Sequence, residues 1–441
     1  MGDSSCGLST RWAALTTESG VVSLDAVAEA VDGAVAAERL RIVATLIRVT
    51  GEWELAEDCV QDAVERALTR WPRDGIPDNP AAWLTTTSRH RALDVLKRRR
   101  IEQDKLRELK TLAEGAAAPK PGRDEPWDDD QLGLLFACCH PALPMAGRVA
   151  LTLKTVAGLS TQQIARAFLV SEATMGQRLL RTRTKIAHAG ISLRVPEPHR
   201  LDERTAGVLA VIYLVFNEGY RPTDDGARAF RDDLSEEALH LADLVALLLP
   251  GDDEVLSLRA LLLLQHARRD ARVDSAGELL TLEEQDRSRW DRVRIQAGLE
   301  SLAAARATGR PPRAYRLQAE IAALHTTAAD AGSTDWPRIT AAYDALLALR
   351  PSPVVALNRA VAVAMADGPE AGLDALADLD TAALADYPLL PAVRADLLRR
   401  AGRRREAADA YLDAIAEART EPERRFLHRR LAEVTAPAVS D

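Results

Sequence analysis

Aromatic residues and long apolar runs are scarce in this 441-residue chain. Aromatic side chains make up only 4% of it and β-branched runs are short, a composition that favours helices over sheets. No stretch of about eighteen apolar residues occurs, so no membrane span is predicted. Residues 1–20 lack a basic stretch followed by an apolar core. They are therefore predicted to form a loose tail and not a signal peptide.

Cysteine is also rare. Four irregularly spaced cysteines are too few for a disulfide framework, so a reducing, cytoplasmic compartment is expected. Cys138, Cys139 and His140 are adjacent and lack the ligand spacing of a closed zinc site, so core positions are favoured and no metal is predicted. The chain has no phosphate-binding glycine loop, no HExxH and no nucleophile elbow. It is therefore predicted not to be an enzyme, with no catalytic residue and no cofactor.

The net charge of −9 argues against a nucleic-acid partner, but the charge is unevenly distributed. Residues 173–196 contain no acid, and their basic side chains are Arg178, Arg181, Arg183, Lys185 and Arg194. Local charge, and not net charge, decides whether a surface contacts phosphate. A basic stripe on an acidic protein is therefore the more informative feature.

Helical periodicity dominates the whole chain, which predicts an all-α fold. In residues 55–68 apolar side chains recur every three to four positions, and Asp58, Gln61, Asp62 and Glu65 occupy the opposite side. Residues 71–80 carry three prolines and a glycine, which predicts a loop before a helix that runs from residue 81 to 100.

The predicted organisation has five parts. They are a tail (1–20), a first helical domain (21–101), a flexible linker rich in Pro, Gly and charge (102–130), a second helical domain (131–195) and a large helical extension (196–441).

The sharpest local pattern, in residues 160–186, predicts a helix-turn-helix. Ser160 or Thr161 can cap a helix with Ile164, Ala165 and Phe168 on its inner face, residues 169–170 form the turn, and Ser171 caps the next helix. In that second helix Met175, Leu179 and Ile186 point inward, and the outer face is formed by Thr174, Gln177, Arg178, Arg181 and Lys185. Such a face suits a DNA major groove. The alternative is an ordinary helix pair with a solvated basic face.

Two further segments connect this pattern to a known family. Residues 55–68 (LAEDCVQDAVERAL) and 79–100 (NPAAWLTTTSRHRALDVLKRRR) resemble region 2 of sigma factors in the sigma-70 superfamily, and residues 132–193 resemble region 4. Their order and spacing resemble the extracytoplasmic-function type. Residues 211–223, residues 282–295 and the C-terminal helices resemble the subgroup with a fused tetratricopeptide-like extension. In that subgroup a separate membrane anti-sigma factor is not usual, which implies that the extension takes over regulation.

The resemblance implies partners and site residues. RNA polymerase core would be bound through its β′ clamp helices and β flap, with Asp58, Gln61, Asp62 and Glu65 docking on the clamp helices. The loop 71–80 and the helix that follows would bind the melted minus-10 promoter element, with the DNA-binding residues Arg89, Arg91, Lys97 and Arg98. Duplex minus-35 DNA would be read by Ser171, Thr174, Gln177, Arg178, Arg181 and Lys185. Trp83 is expected in the domain core, whereas the basic run 97–100 could instead be a solvated face.

The extension shows repeat spacing in its last third. Gly402, Ala407, Tyr411 and Ala414 have tetratricopeptide spacing, and Tyr343 lies two 34-residue periods before Tyr411. Repeats are therefore predicted from about residue 335, and they would bind a protein ligand or the chain's own sigma domains. The alternative is a helical mass that only stabilises the chain.

The favoured function is a transcription initiation factor that gives polymerase its promoter specificity. Two other hypotheses are a helical-repeat scaffold for protein binding and a DNA-binding repressor that does not act through polymerase. The acidic face at residues 58–65, together with the basic helix, argues against both.

Overall fold

A computed structural model describes residues 23–110, 128–168, 170–220, 232–275, 277–379, 384, 387, 389–418 and 420–436. Within these ranges the regular structure is helical, which confirms the predicted all-α class. The helices are α1 (Leu24–Thr50), α2 (Trp53–Asp74), α3 (Pro80–Lys110), α4 (Asp128–Cys138), α5 (Met145–Thr155), α6 (Thr161–Ala167), α7 (Glu172–His188), α8 (Pro198–Tyr220), α9 (Asp232–Leu248), α10 (Asp253–His266), α11 (Arg292–Ala307), α12 (Ala314–Thr327), α13 (Trp336–Leu349), α14 (Pro353–Asp367), α15 (Pro369–Ala377), α16 (Leu389–Arg400), α17 (Arg404–Glu417) and α18 (Glu421–Thr435). None of them, over the part of the chain described, is long and apolar enough to cross a bilayer.

The chain divides into two compact units, Met1–Val208 and Leu209–Asp441. In the first unit α1, α2 and α3 pack on one another, and α4 packs on α1. The buried side of α2 is the apolar stripe expected from the sequence, with Leu55, Cys59, Val60, Ala63 and Ala67 all in the core.

The predicted loop at residues 71–80 is wrong at its start, because α2 continues through Pro72 to Asp74. Trp71 is almost fully buried, and the Trp83 ring meets it edge to face at 5.4 Å. This packing holds the last turn, and the N–H of Gly75 closes it on the Trp71 carbonyl at 3.0 Å. Proline there removes one hydrogen bond two residues before the helix ends, so its cost is small. Trp83, which was predicted to pack in the domain core, makes this contact but is only half-buried.

The predicted linker is also shorter than its composition indicated. Helix α3 extends ten residues beyond Arg100, and α4 begins at Asp128, so both edges of the segment 102–130 are helical. The rest of that segment, 111–127, lies outside the described residues, as does the predicted tail. Its flexibility therefore remains a prediction.

Helices α4 to α7 build the second part of the first unit. Cys138 and Cys139 are fully buried, and burial raises the pKa of both thiols, that of Cys139 to about 11. They therefore behave as small apolar core residues that stay protonated at neutral pH. Arg204, near the start of α8, donates to the Phe136 carbonyl at 2.5 Å.

The second unit is a succession of helices, most of which pack on the next one in sequence. Gly298 lies where α11 crosses α10, and a Cβ there would be 2.8 Å from the Leu264 side chain. The fully buried Asp253 carboxylate is paired with Arg310 and Arg313, each at 3.1 Å. The pairing is important, because an unpaired carboxylate at this depth would strongly destabilise the fold.

The residues that suggested repeats occupy suitable positions. Gly402 ends the turn before α17 with a positive φ of 75°, and α17 buries Ala407, Tyr411 and Ala414 against α16 and α18. The small side chains allow the helices to approach, as the spacing predicted. A tetratricopeptide classification of these helices remains a prediction.

Candidate nucleic-acid interface

Each helix of the helix-turn-helix begins at a capping serine. Ser160 caps α6 in a reciprocal capping box with Gln163, with bonds of 3.1 and 2.8 Å. Ser171 caps α7 by accepting from the N–H of Thr174 at 3.2 Å. Each cap satisfies a backbone donor that would otherwise be unpaired, which is worth about 1 kcal/mol. Both predicted helix starts are confirmed; Leu169 of the turn lies outside the described residues.

The two faces of α7 separate as predicted. Met175, Leu179 and Ile186 are buried, as is Thr182, and burial of one large apolar side chain contributes about 1.5–3 kcal/mol. The opposite side lines an open cleft of about 570 Å³, and its walls include Thr174, Gln177, Arg178, Arg181 and Lys185. All five predicted DNA-contacting side chains of the outer face are therefore brought together on one surface.

A glycine in α5 allows α5 and α7 to approach each other closely. A Cβ on Gly147 would lie 2.8 Å from the Thr182 hydroxyl of α7, closer than a real contact allows. The Thr182 hydroxyl itself donates to the Arg178 carbonyl at 2.8 Å, one turn earlier. The Arg178 guanidinium lies 5.2 Å from the Phe168 ring, in cation–π range. The basic face is thus held in a defined orientation by its packing.

The predicted polymerase-docking residues also share one surface. Asp58, Gln61, Asp62 and Glu65 line a groove of about 420 Å³ along α2. The Gln61 amide donates to Glu65 at 3.4 Å, and Asp58 and Glu65 are exposed. Asp62 differs because it is ion-paired with Arg91 of α3 at 2.5 Å.

The minus-10 residues predicted on α3 do not share one environment. Arg89, Lys97 and Arg98 are exposed, whereas Arg91 is half-buried against Asp62. The structure therefore places Arg91 in the same groove as the docking residues instead of with the other basic side chains. The loop before α3 is shorter than predicted, and Asn79 caps the helix by accepting from the N–H of Ala82 at 3.0 Å.

Arg183 has a role that the sequence pattern missed. It belongs to the basic stripe, but its guanidinium turns away from the cleft and contacts Glu57 of α2 at 2.7 Å. Only 12% of the Arg183 side chain and 17% of Glu57 are exposed, and Trp53 lies 5.9 Å below the guanidinium. Helical spacing puts residue 183 about 200° from residue 181, so the sequence could have excluded it from the outer face. The sequence could not have identified Glu57 as the partner of Arg183.

Two further contacts join the same parts of the first unit. Arg39 of α1 donates to the Thr155 and Lys154 carbonyls, at the end of α5, at 3.1 and 3.4 Å. Asp130, at the start of α4, accepts from Thr45 and Arg48 of α1. The helices that carry the predicted promoter-reading face are therefore packed on those that carry the predicted polymerase-docking face.

Comparison with protein families agrees with this division. Residues 34–101 match Sigma-70 region 2, and residues 134–186 match Sigma-70 region 4. Residues 204–306 match a family of unknown function, DUF6596. No solved structure matches the chain.

Two relatives extend the comparison. An uncharacterized protein of Rhizobium meliloti is 41% identical over 411 residues, which covers 92% of this chain and 96% of that protein. A probable ECF RNA polymerase sigma factor, SigI, of Mycobacterium tuberculosis is 30% identical over 171 residues, covering 38% of this chain and 58% of SigI. The chain therefore belongs to the same family as the Rhizobium protein and carries the region 2 and region 4 domains of sigma-70 factors.

Proposed function

We propose that this protein is an RNA polymerase sigma factor of the extracytoplasmic-function type, which directs core polymerase to particular promoters. The observation that carries the proposal is the outer face of α7. Five polar or basic side chains lie along one side of α7, which is the second helix of the capped helix-turn-helix. The other side of α7 is buried in the domain core. Amides and hydroxyls on such a face can read base edges, while arginines hold phosphate or guanine.

The groove on α2 supports polymerase as the second partner. Its exposed carboxylates suit a basic surface such as the proposed clamp-helix site, and no α7 residue is needed to form it. Because Asp62 is already paired with Arg91, Asp58 and Glu65 are the side chains best placed to meet a cation on a partner. A repressor that did not act through polymerase would have no use for this face.

The exposed basic side chains of α3 support contact with the single-stranded minus-10 element. Arg89, Lys97 and Arg98 can follow a phosphate backbone. Trp71 and Trp83 pack on each other, so we assign neither ring to stacking on an unpaired base. We therefore assign α3 an electrostatic role.

Promoter engagement requires the first unit to open. Promoter elements about 25 base pairs apart span about 85 Å of B-DNA, at about 3.4 Å per step. The 2.7 Å contact between Arg183 and Glu57 holds α7 against α2 and is incompatible with that separation. We infer that the described arrangement is a closed state, which polymerase binding would open.

The extension is proposed to regulate this step. The family resemblance suggests the role, and a series of packed helices offers a large surface for protein contacts. A domain tethered in the same chain acts at high effective concentration, so even a weak contact can bias opening.

Run-off transcription with purified core polymerase tests the proposal. The full-length protein should support transcription from a cognate promoter and not from a template with a scrambled upstream element. Absence of a promoter-dependent transcript from every template in a genomic library of the source organism would refute it. A chain ending at residue 220, which keeps α8 whole, tests the extension: its transcription rate should change strongly, and the resemblance favours a loss. An unchanged rate from a folded truncated chain would assign the extension another role.

A further inference from the structure

An acidic segment in the second unit lies against a basic surface of the C-terminal helices. This segment, residues 278–285, is called the strap, and its sequence is ELLTLEEQ. It lies within the connection from α10 to α11 and forms no helix itself, and an isolated bridge between Val273 and Leu279 fixes its start. The Thr281 N–H and hydroxyl both donate to Glu284 at 2.8 Å, which sets the local shape.

The partners of the strap are more than a hundred residues away in sequence. The Arg400 guanidinium of α16 donates two hydrogen bonds to the Glu283 carboxylate, at 2.8 and 3.2 Å. On α18, Arg425 pairs with Glu278 at 3.0 Å, Arg430 pairs with Glu284 at 3.0 Å, and Arg429 donates to the Leu279 carbonyl at 3.0 Å. The four arginines, together with Phe426, form what we call the basic surface.

The basic surface combines cations with an aromatic ring and one mainly apolar recess. The Phe426 ring lies 5.4 and 5.3 Å from the guanidinium carbons of Arg429 and Arg430. A recess of about 220 Å³ between the strap and the helices is lined by Thr281, Met365, Leu397 and Phe426, among others. Leu282 lines a separate, partly polar recess of about 290 Å³, whose walls include Gln318, His325, Tyr343 and Leu346 and no residue of α16 or α18. Along the basic surface itself, the strap meets arginines and one mainly apolar recess, as a bound extended peptide does.

The strap is held by exchangeable contacts. Its ion-paired arginines expose between 11% and 43% of their side chains, and no strap residue is buried. The ion pairs of the more exposed arginines, Arg400, Arg425 and Arg429, are weak and are screened by salt, whereas Arg430 is largely shielded from solvent. Ala271 and Trp290, by contrast, are buried and anchor the chain on both sides of the strap. The strap can therefore leave the surface while its ends stay in place.

We propose that the basic surface of α16 and α18 is a docking site for an acidic peptide of a partner protein, which the strap occupies as an internal competitor. The inference rests on the regulatory role proposed for the extension and gives that role a partner of defined chemistry. Charge complementarity argues for it, because the surface already binds three glutamates of its own chain. Docking of the partner would displace the strap, and this displacement would couple partner binding to the conformation of the rest of the extension.

A fluorescein-labelled peptide with the strap sequence, added to the full-length protein, tests the proposal by fluorescence anisotropy. The Glu283→Gln, Glu284→Gln variant weakens the strap and should bind the peptide about ten-fold more tightly than wild type, since the ion pairs of Glu283 with Arg400 and of Glu284 with Arg430 are lost. Arg425→Glu with Arg429→Glu should abolish binding in both backgrounds. Arg405→Glu, on an exposed side chain of α17, is the matched charge control and should change nothing. Thermal melts establish that each variant is folded.

Two results would overturn the inference. One is an absence of saturable peptide binding to both wild type and the opened variant. The other is binding of a single-stranded oligonucleotide, but not of the peptide, which would make the partner a nucleic acid. Run-off transcription with the same preparations separates this inference from the proposed function. Peptide binding without promoter-dependent transcription would refute the sigma-factor proposal alone, and transcription without peptide binding would refute the docking site alone.

Discussion

Replacing Glu57 by glutamine should shift the first unit toward an open state and strengthen DNA binding by the free protein. The Arg183–Glu57 pair is short, at 2.7 Å, and nearly buried, so it is worth more than an exposed ion pair. A hydrogen bond between charged groups contributes about 1.5–3 kcal/mol. Loss of about 1.5 kcal/mol raises the population of a minor open state about ten-fold.

The assay is titration of the free protein with promoter DNA that carries both the upstream duplex element and a single-stranded minus-10 element. The apparent dissociation constant should fall about ten-fold, because only the open fraction can reach both elements at once. Glu54→Gln is an internal control one turn away, since Glu54 lies 3.9 Å from Arg183 and is 76% exposed, and it should leave the constant unchanged. A double-mutant cycle between Glu57→Gln and Arg183→Met should give a coupling of about 1.5 kcal/mol or more in the free energy of unfolding. A coupling near zero, or unchanged DNA affinity in Glu57→Gln, would refute the reasoning.

Three other changes have defined outcomes. Arg178→Ala and Arg181→Ala should each weaken binding to the upstream duplex and lower the slope of log affinity against log salt concentration by about one unit, with core-polymerase binding intact. Affinities equal to that of wild type across a salt titration would remove both residues from the DNA interface. Asp58→Arg with Glu65→Arg should abolish co-purification with core polymerase without unfolding the domain, because both side chains are exposed, and wild-type recovery would contradict the docking face. Burial and Arg294 hold the pKa of His266 at about 4, and burial with Arg268 and Arg287 does the same for His325. The unfolded chain therefore binds more protons between about pH 6.5 and 4, so the melting temperature should fall as pH drops through that window, and a flat profile would show that neither histidine stays neutral.

Local features of the fold were predictable from sequence because they depend on neighbouring residues. Ser160 and Ser171 cap their helices as expected, and Met175, Leu179 and Ile186 are buried as their spacing predicted. The docking residues of α2 lie together for the same reason, since one helix face displays them all.

Features that depend on distant partners were not predictable. Helix α2 passes Pro72 because Trp71 packs on Trp83, a contact that no local propensity describes. The partner of Arg91 is 29 residues away and that of Arg183 is 126 residues away. The family resemblance implied a DNA contact for Arg91, and Arg183 was counted only as part of the basic stripe, whereas tertiary packing places each of them beside a carboxylate.

The division of α7 into two faces has a consequence for how promoter preference can change. Its inner residues and the close approach at Gly147 hold the helix in place, while Thr174, Gln177 and Arg181 are exposed and contribute little to the core. Substitutions at exposed sites of this kind usually alter stability by less than about 0.5 kcal/mol. In the proposed role, the set of promoters that α7 recognises could therefore drift, or be redesigned, through a few outward side chains, with the domain that carries them left unchanged.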